Sequence, residues 1–327
     1  MKVRVTTKAG SFFITQQLTT YTWSGSKSSC ARAFTFTSLR QGDGLPELVD
    51  PPVGALVELL EDDGTPRFLG VVVRRGAIST EQVVAPYRCL DRGLYLNQNA
   101  GWYSVKDTPE ALTKRICGDF GVPAGSLAAT GITITRKFPG VALNKIIGTM
   151  YSLASEQNGK RYLVSFDGAG ALCVTEKTET ASGLVLAPKV NLMNAALTES
   201  IEKMCNSVAI YDEYGNKVRV LEDKDAVSAY GLMQQAVTQT KKDDGAAKGK
   251  LLLEDGGLEQ SVEVECLGDT RLVTGATVLL KENGSGLTGV FCIDEDTHTW
   301  KNGLHVTRLT LNLRNVMDKQ SAGSEVK

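Results

Sequence analysis

Strict two-residue alternation near the C-terminus is the strongest constraint on this chain. Val262, Val264 and Cys266 share one parity, while Ser261, Glu263 and Glu265 take the other. Phe291 and Ile293 alternate in the same way, as do Leu309, Leu311 and Leu313. Successive side chains of a strand point to opposite faces, so this spacing predicts strands with one buried face. Between the runs stand Gly268-Asp269, Glu282-Asn283-Gly284-Ser285-Gly286 and Lys301-Asn302-Gly303, which supply the positive φ of tight turns. Residues 259–316 therefore read as four short strands of a small antiparallel barrel or sandwich.

The N-terminal third carries an echo of this stretch. Residues 54–73 read GALVELLEDDGTPRFLGVVV and residues 275–293 read GATVLLKENGSGLTGVFCI. Gly54 matches Gly275, Ala55 matches Ala276, Val57 matches Val278 and Leu59 matches Leu280, at an offset of 221 residues. A charged turn with glycine follows in both, and the alignment sets Gly70 against Gly289. The offset is far longer than the ~20–50 residues of a solenoid repeat. It fits two related barrels separated by an insert. Hairpin turns that need glycine would produce part of the match on their own.

Taken in order, residues 1–98 read as all-β, with strands at Val3–Val5, Phe12–Ile14, Tyr21–Trp23, Ala31–Thr37, Phe68–Val73 and Val83–Leu90. The period then changes. Thr108 is placed to cap a helix, with Pro109 in its first position and Glu110 in its first turn. Leu112, Ile116 and Phe120 make one helical stripe, and Gly121 and Pro123 end it. A second helix is expected over about 141–157, stopped at Asn158-Gly159, then a hairpin turning at residues 167–170. Residues 99–188 thus form an α/β insert. The chain returns to strands over 189–318, including 207–211 and 217–221. Residues 225–231 look irregular, and 243–253 allow a short helix. Residues 319–327 are polar and are expected to form a flexible tail.

Composition excludes several classes. The 36 basic and 37 acidic residues leave a formal net charge of −1, against a chain built to grip nucleic acid. No apolar run reaches the roughly 18 residues of a membrane span, and residues 1–6 alternate like a strand rather than a signal peptide. The seven cysteines are widely spaced with no CxxC, which fits neither a disulfide framework nor a zinc site and points to folding in a reducing cytosol. No GxSxG elbow, phosphate loop or dinucleotide fingerprint occurs. The two histidines, His298 and His305, follow the acids Asp294, Glu295 and Asp296. Alternation lets only some of those acids share a face with His298. No catalytic, cofactor-binding or metal-binding residue is assigned on this pattern.

The pattern GDxRLxxGxxVxL…GxFxIxxxxHxW…GxHxTxLxL resembles the baseplate hub proteins of contractile phage tails, PBSX-type prophage hubs in particular. It is carried by Gly268, Asp269, Arg271, Leu272, Gly275, Val278, Gly289, Phe291, Ile293, His298, Trp300, His305, Thr307 and Leu309. The stretches 200–208 and 225–231 resemble the family's middle section, and the likeness extends more distantly to late-control D proteins and the N-terminal part of type VI spike proteins. The resemblance implies a mainly β chain with an α/β insert. Two similar antiparallel β-barrels, 1–98 and 189–318, would form a pseudo-sixfold ring as a homotrimer. It implies a structural role between a sixfold tail tube and a threefold spike, in a phage or a phage-tail-like bacteriocin (a tailocin) assembled in the bacterial cytoplasm. Partners would be the tail tube protein, the central spike, other baseplate proteins and the tape-measure protein. No cofactor, specific nucleic-acid binding or membrane insertion is implied. Two other readings stay open at this point. One is a cell-wall hydrolase using Asp294 or Asp296 with His298. The other is a carbohydrate-binding β-sandwich, for which an aromatic content of 6% is low.

Overall fold

Residues 1–39, 48–76, 83–178, 180, 182–240, 245–282, 287–313 and 317–325 are described in a computed structural model. The N-terminal strands are β1 (Lys2–Thr7), β2 (Gly10–Phe13), β3 (Leu18–Ser26), β4 (Ser29–Leu39), β5 (Leu56–Leu60), β6 (Pro66–Arg75) and β7 (Val84–Asp91). The insert follows with α1 (Gly93–Gln98), β8 (Ala100–Asp107), α2 (Pro109–Asp119), β9 (Ala124–Leu127), β10 (Ile134–Ala142), α3 (Leu143–Asn158), β11 (Arg161–Phe166) and β12 (Leu172–Lys177). Next come β13 (Val185–Leu186) and β14 (Leu192–Ser200). A side lobe holds β15 (Ser207–Tyr211), β16 (Lys217–Glu222), α4 (Lys224–Tyr230), β17 (Gln234–Thr238) and α5 (Gly245–Asp255). The chain closes with β18 (Glu259–Leu267), β19 (Thr277–Glu282), β20 (Leu287–Lys301), β21 (Leu304–Asn312) and β22 (Ser324–Glu325).

One sheet of 13 strands runs through both ends of the chain, in the order β14-β18-β21-β20-β3-β4-β7-β6-β5-β1-β2, with β19 and β13 branching from β20. Two apolar clusters lie along it. Val3, Val5, Trp23, Phe34, Phe36, Val57, Phe68, Ala85 and Cys89 form the first, drawn from six of the N-terminal strands. Val262, Val264, Val278, Leu280, Phe291, Ile293, Leu309 and Leu311 form the second. Each segment of sheet carries its own apolar cluster. Among the described residues neither closes on itself, because β2 and β14 end the sheet.

The two segments repeat one another strand by strand. Across the first, Trp23 lies opposite Phe34, Phe34 opposite Cys89, and Cys89 opposite Val72. Across the second, Leu197, Val262, Leu311 and Ile293 form the same row. The row continues through the Val72 N–H to the Ala55 carbonyl, and through the Ile293 N–H to the Ala276 carbonyl, both at 2.9 Å. Gly54 donates to the Val72 carbonyl at 2.8 Å and Gly275 to the Ile293 carbonyl at 2.9 Å. Their φ values are +87° and +89°, a region that glycine enters without steric cost. Both segments also shift register at the same place, between Val72 and Arg74 and between Ile293 and Glu295. The offset of 221 therefore holds through both hairpins. It corrects the sequence alignment at one point: Gly289 opposes Leu280 whereas Gly70 opposes Val57, so Gly289 corresponds to Phe68 and Gly70 to Phe291. The match ends at the flanks. β1 runs antiparallel to β5, while β13 runs parallel to β19.

Other expectations are sharpened. Leu287–Ile293 and Thr297–Trp300 are parts of one fifteen-residue strand, β20. The Lys301-Asn302-Gly303 turn is formed with Asn302 at φ 53° and Gly303 at φ 76°. Helix α2 is capped by Thr108, whose Oγ accepts from the Ala111 N–H at 3.4 Å, and α3 ends at Gly159 with φ 73°. Residues 93–98, read as part of an all-β region, form α1. Most of residues 225–231, read as irregular, belongs to α4, because the Asp223 side chain caps that helix through Ala226 N–H at 3.0 Å. Strands β15 and β16 pair, but in a separate sheet with β17 rather than in the large one. The expected tail is instead held down over 319–325. Gln320 N–H donates to Ser152 Oγ at 3.0 Å, Arg136 Nε donates to the Ala322 carbonyl at 2.6 Å, and β22 pairs with β10. The expected turn residues 283–286 and the charge run Lys241-Lys242-Asp243-Asp244 lie outside the described residues.

Candidate functional site

The two segments meet along β3 and β20. Glu295–Lys301 pairs antiparallel with Thr20–Ser26, while β21 covers the other edge of β20. Alternation turns Asp294, Asp296, His298 and Trp300 inward and leaves Glu295, Thr297 and Thr299 on the opposite face. The inward groups are polar and buried, so each needs a partner.

Every one has partners. Asp294 accepts from Lys27 Nζ in the β3–β4 turn and from Asn312 Nδ2 at 3.3 Å, and Lys177 Nζ from the end of β12 lies 3.9 Å away. Asp296 takes a two-pronged contact from Arg32 on β4, with Nη1 at 3.0 Å from Oδ1. It also accepts from the N–H and hydroxyl of Thr274, both at 2.7 Å. Burial acts to raise the Asp296 pKa, but the Arg32 guanidinium and the His298 ring outweigh it and hold it well below the usual carboxylate range. Arg32 lies over Trp23, 4.1 Å from the ring centroid. Gly25, opposite Asp296, makes room for it: a Cβ there would stand 2.2 Å from Arg32 Nη1.

His298 is fully buried. Its Nε2 faces the Leu272 carbonyl at 3.1 Å, which can only accept, so that nitrogen carries the proton. Its Nδ1 stands 3.1 Å from the Thr307 hydroxyl and 3.2 Å from His305 Nε2. His305 stacks on Trp300 with ring centroids 4.1 Å apart, and burial beside His298 pushes its pKa down to about 4.

The structure thus brings together Asp294, Asp296, His298 and His305, the residues singled out for possible chemistry, and leaves Glu295 on the far face, bonded to Ser26 Oγ at 2.9 Å. Asp296 and His298 are sealed from solvent and bonded to the protein's own groups. A general acid or base must reach a substrate proton. What this arrangement does instead is fix register. A slip of one residue would turn Asp294 and Asp296 outward, away from Lys27 and Arg32. Sequence reasoning missed Arg32, Lys27 and Lys177. Arg32 had a signal: it shares the parity of the buried Phe34 and Phe36, so it required a buried anion.

The opposite face of the joint is polar and continuous. It carries Thr20, Thr22 and Ser24 on β3, Thr35 and Thr37 on β4, Thr297 and Thr299 on β20, and Glu263, Glu265 and Arg308 farther along.

The sequence pattern of the YQBQ-like family matches residues 21–312. The chain belongs to that family. It is 23% identical over 264 residues to the phage-like element PBSX protein XkdQ of Bacillus subtilis, covering 78% of this chain and 80% of that protein. In fold it is similar to the 43 kDa tail protein of prophage MuSo2 from Shewanella oneidensis, with a TM-score of 0.72 at 13% identity, covering 95% of this chain and 98% of the other. It is also similar to an E. coli type VI secretion component, c3393, whose own structure is described as resembling the T4 tail proteins gp27 and gp5. That match has a TM-score of 0.57 at 10% identity and covers 95% and 76% of the two chains. The chain thus shares its fold with these proteins.

Proposed function

We propose that this YQBQ-like chain is a structural baseplate hub of a contractile phage tail or tailocin, working as a homotrimer between a sixfold tail tube and a threefold central spike. The observation that carries the reading is the repeated row, Trp23-Phe34-Cys89-Val72-Ala55 and Leu197-Val262-Leu311-Ile293-Ala276. Two near-equivalent units in each of three chains make six, so one face of the ring offers six similar surfaces while the whole keeps threefold symmetry. Each unit completes a β-barrel in the ring. Strands at the ring's inner wall present the hydroxyl-rich face, whose mixed Glu and Arg charges let a nucleic acid or a tape-measure protein pass without a strong field to trap it. The near-neutral chain suits the same passage.

The partners of this reading are the tube protein, the spike, neighbouring baseplate proteins and the tape measure, in a virion tail or tailocin assembled in the bacterial cytoplasm. The chain carries out no reaction in it, binds no specific nucleic acid and enters no membrane. A relative from a phage-like element and a tail protein of similar fold support it, as does the commitment of Asp296 and His298 to internal bonds. Gold labelling of a tagged chain in purified particles tests it. The reading expects label at the distal end of the tube, between tube and spike, and tubes without a spike when the chain is deleted. Label along the tube, or particles lacking the chain, would contradict it.

A further inference from the structure

The intrachain joint covers the outer edge of β3 with the far end of β20, and the counterparts of those two edges stand uncovered at the ends of the repeat. The rows identify the counterparts. Leu197 on β14 stands where Trp23 stands on β3, an offset of 174 residues, and β6 stands where β20 stands, at the offset of 221. Among the described residues no strand pairs with the outer edge of β14. Among the described residues no strand pairs with the end of β6 on that side beyond β5. Gly76 N–H donates to the Pro86 carbonyl on β7 at 2.7 Å, so by antiparallel alternation the main-chain groups of Arg75 face away from β7.

Exposure marks the missing cover. Trp23 is 3% exposed under β20, whereas its counterpart Leu197 is 40% exposed and nearby Met193 is 54% exposed. A nine-residue edge with open apolar side chains invites another strand. Charge says which. In the intrachain joint Asp296 lies opposite Gly25 and is met by Arg32 from the adjacent strand β4. The offsets of 221 and 174 carry Asp296 to Arg75 and Gly25 to Glu199, and the match of Phe34 with Val262 carries Arg32 to Gln260, whose Nε2 already donates to Glu199 at 2.7 Å. Arg75, whose guanidinium also meets Asp50 in its own chain, and Glu199 would set a base opposite an acid, with the sides of the intrachain joint exchanged.

The geometry points to an intermolecular joint in which β14 of one copy pairs antiparallel with the end of β6 of the next copy, Arg75 opposite Glu199, Arg74 opposite Ser200 and Gly76 opposite Thr198. The inference rests on the ring reading and names its seam. Because the contact is head-to-tail, it closes only if the step between units closes, and otherwise grows without limit.

Cysteines at Arg74 and Ser200 test the register. Directly opposed strand residues hold their Cβ atoms about 4.5–5.5 Å apart, within reach of a disulfide once the side chains settle. The Arg74→Cys/Ser200→Cys chain, oxidised at high concentration, is expected to run as a covalent three-chain species on a denaturing gel. Each single variant and the wild type, with its seven native cysteines, remain uncross-linked. In parallel, Glu199→Arg weakens self-association by on the order of tenfold or more, and Glu199→Asp leaves it within a few-fold of wild type. A wild-type trimer whose cysteine pair fails to cross-link overturns this seam and leaves the ring standing. A ladder extending past three chains keeps the strand pairing and overturns the three-chain ring. A monomeric chain with no cross-link overturns both.

Discussion

Asp296 shows what the joint requires of a single residue. It is 1% exposed and answers a guanidinium that is itself mostly buried, so removing it strands Arg32 without a counter-ion. Asp296→Ala is expected to cost about 3–5 kcal/mol in urea unfolding at neutral pH. Glu295→Ala, one residue away on the open face, is expected to change stability by less than about 0.5 kcal/mol. The pH dependence has a definite sign. The folded pKa of Asp296 lies below its ordinary 3.8, so its contribution is fully present above that pH and is lost as pH falls through the folded value. The gap between wild type and Asp296→Ala is therefore widest near neutrality and narrows in strong acid. The same residue marks a limit of sequence reading. Alternation places Asp294, Asp296 and His298 on one face, but nothing local says that Lys27, Arg32 and Lys177, more than a hundred residues away, arrive to meet them.

At the scale of elements, the hairpins at Gly54 and Gly275 offer an internal comparison. Their φ values agree within two degrees, yet a Cβ at Gly54 meets nothing within 4 Å while one at Gly275 would stand 2.3 Å from Leu163 Cδ2 in the insert. Gly54→Ala is expected to cost about 1–2 kcal/mol from backbone strain alone. Gly275→Ala is expected to exceed it by about 1–3 kcal/mol, because the packed Leu163 must move as well. Equal costs in thermal melts would mean that the insert does not hold the second segment as described. The elements most legible in the sequence were those with local chemistry: Thr108 and Pro109 starting α2, Gly159 ending α3, and Asn302-Gly303 turning β20 into β21. Two of those missed depended on distant partners. The C-terminal residues read as polar and free, but β10 and Ser152 supply their bonds. The side lobe was hidden for a similar reason, since β15 and β16 read as a hairpin like those of the large sheet and only pairing assigns them elsewhere.

At the scale of the whole molecule, one feature organises the rest. The chain repeats a sheet unit and welds the two copies through β3 and β20, with paired charges inside and hydroxyls outside. The glycine echo announced the repeat, and the common offset of 221 through both hairpins and their register shifts gives it physical form. The weld itself was not legible, because β20 read as two short strands rather than one long enough to serve both units. A unit that joins to its twin within the chain has the same means of joining the next chain. Single-particle imaging of the assembled chain, alone or on its spike, tests this most directly. The account expects three copies in a closed ring, with six similar units around the axis and every β14 edge covered. A closed assembly with another number of chains, or three copies whose units are not related by near-sixfold rotation, would contradict it.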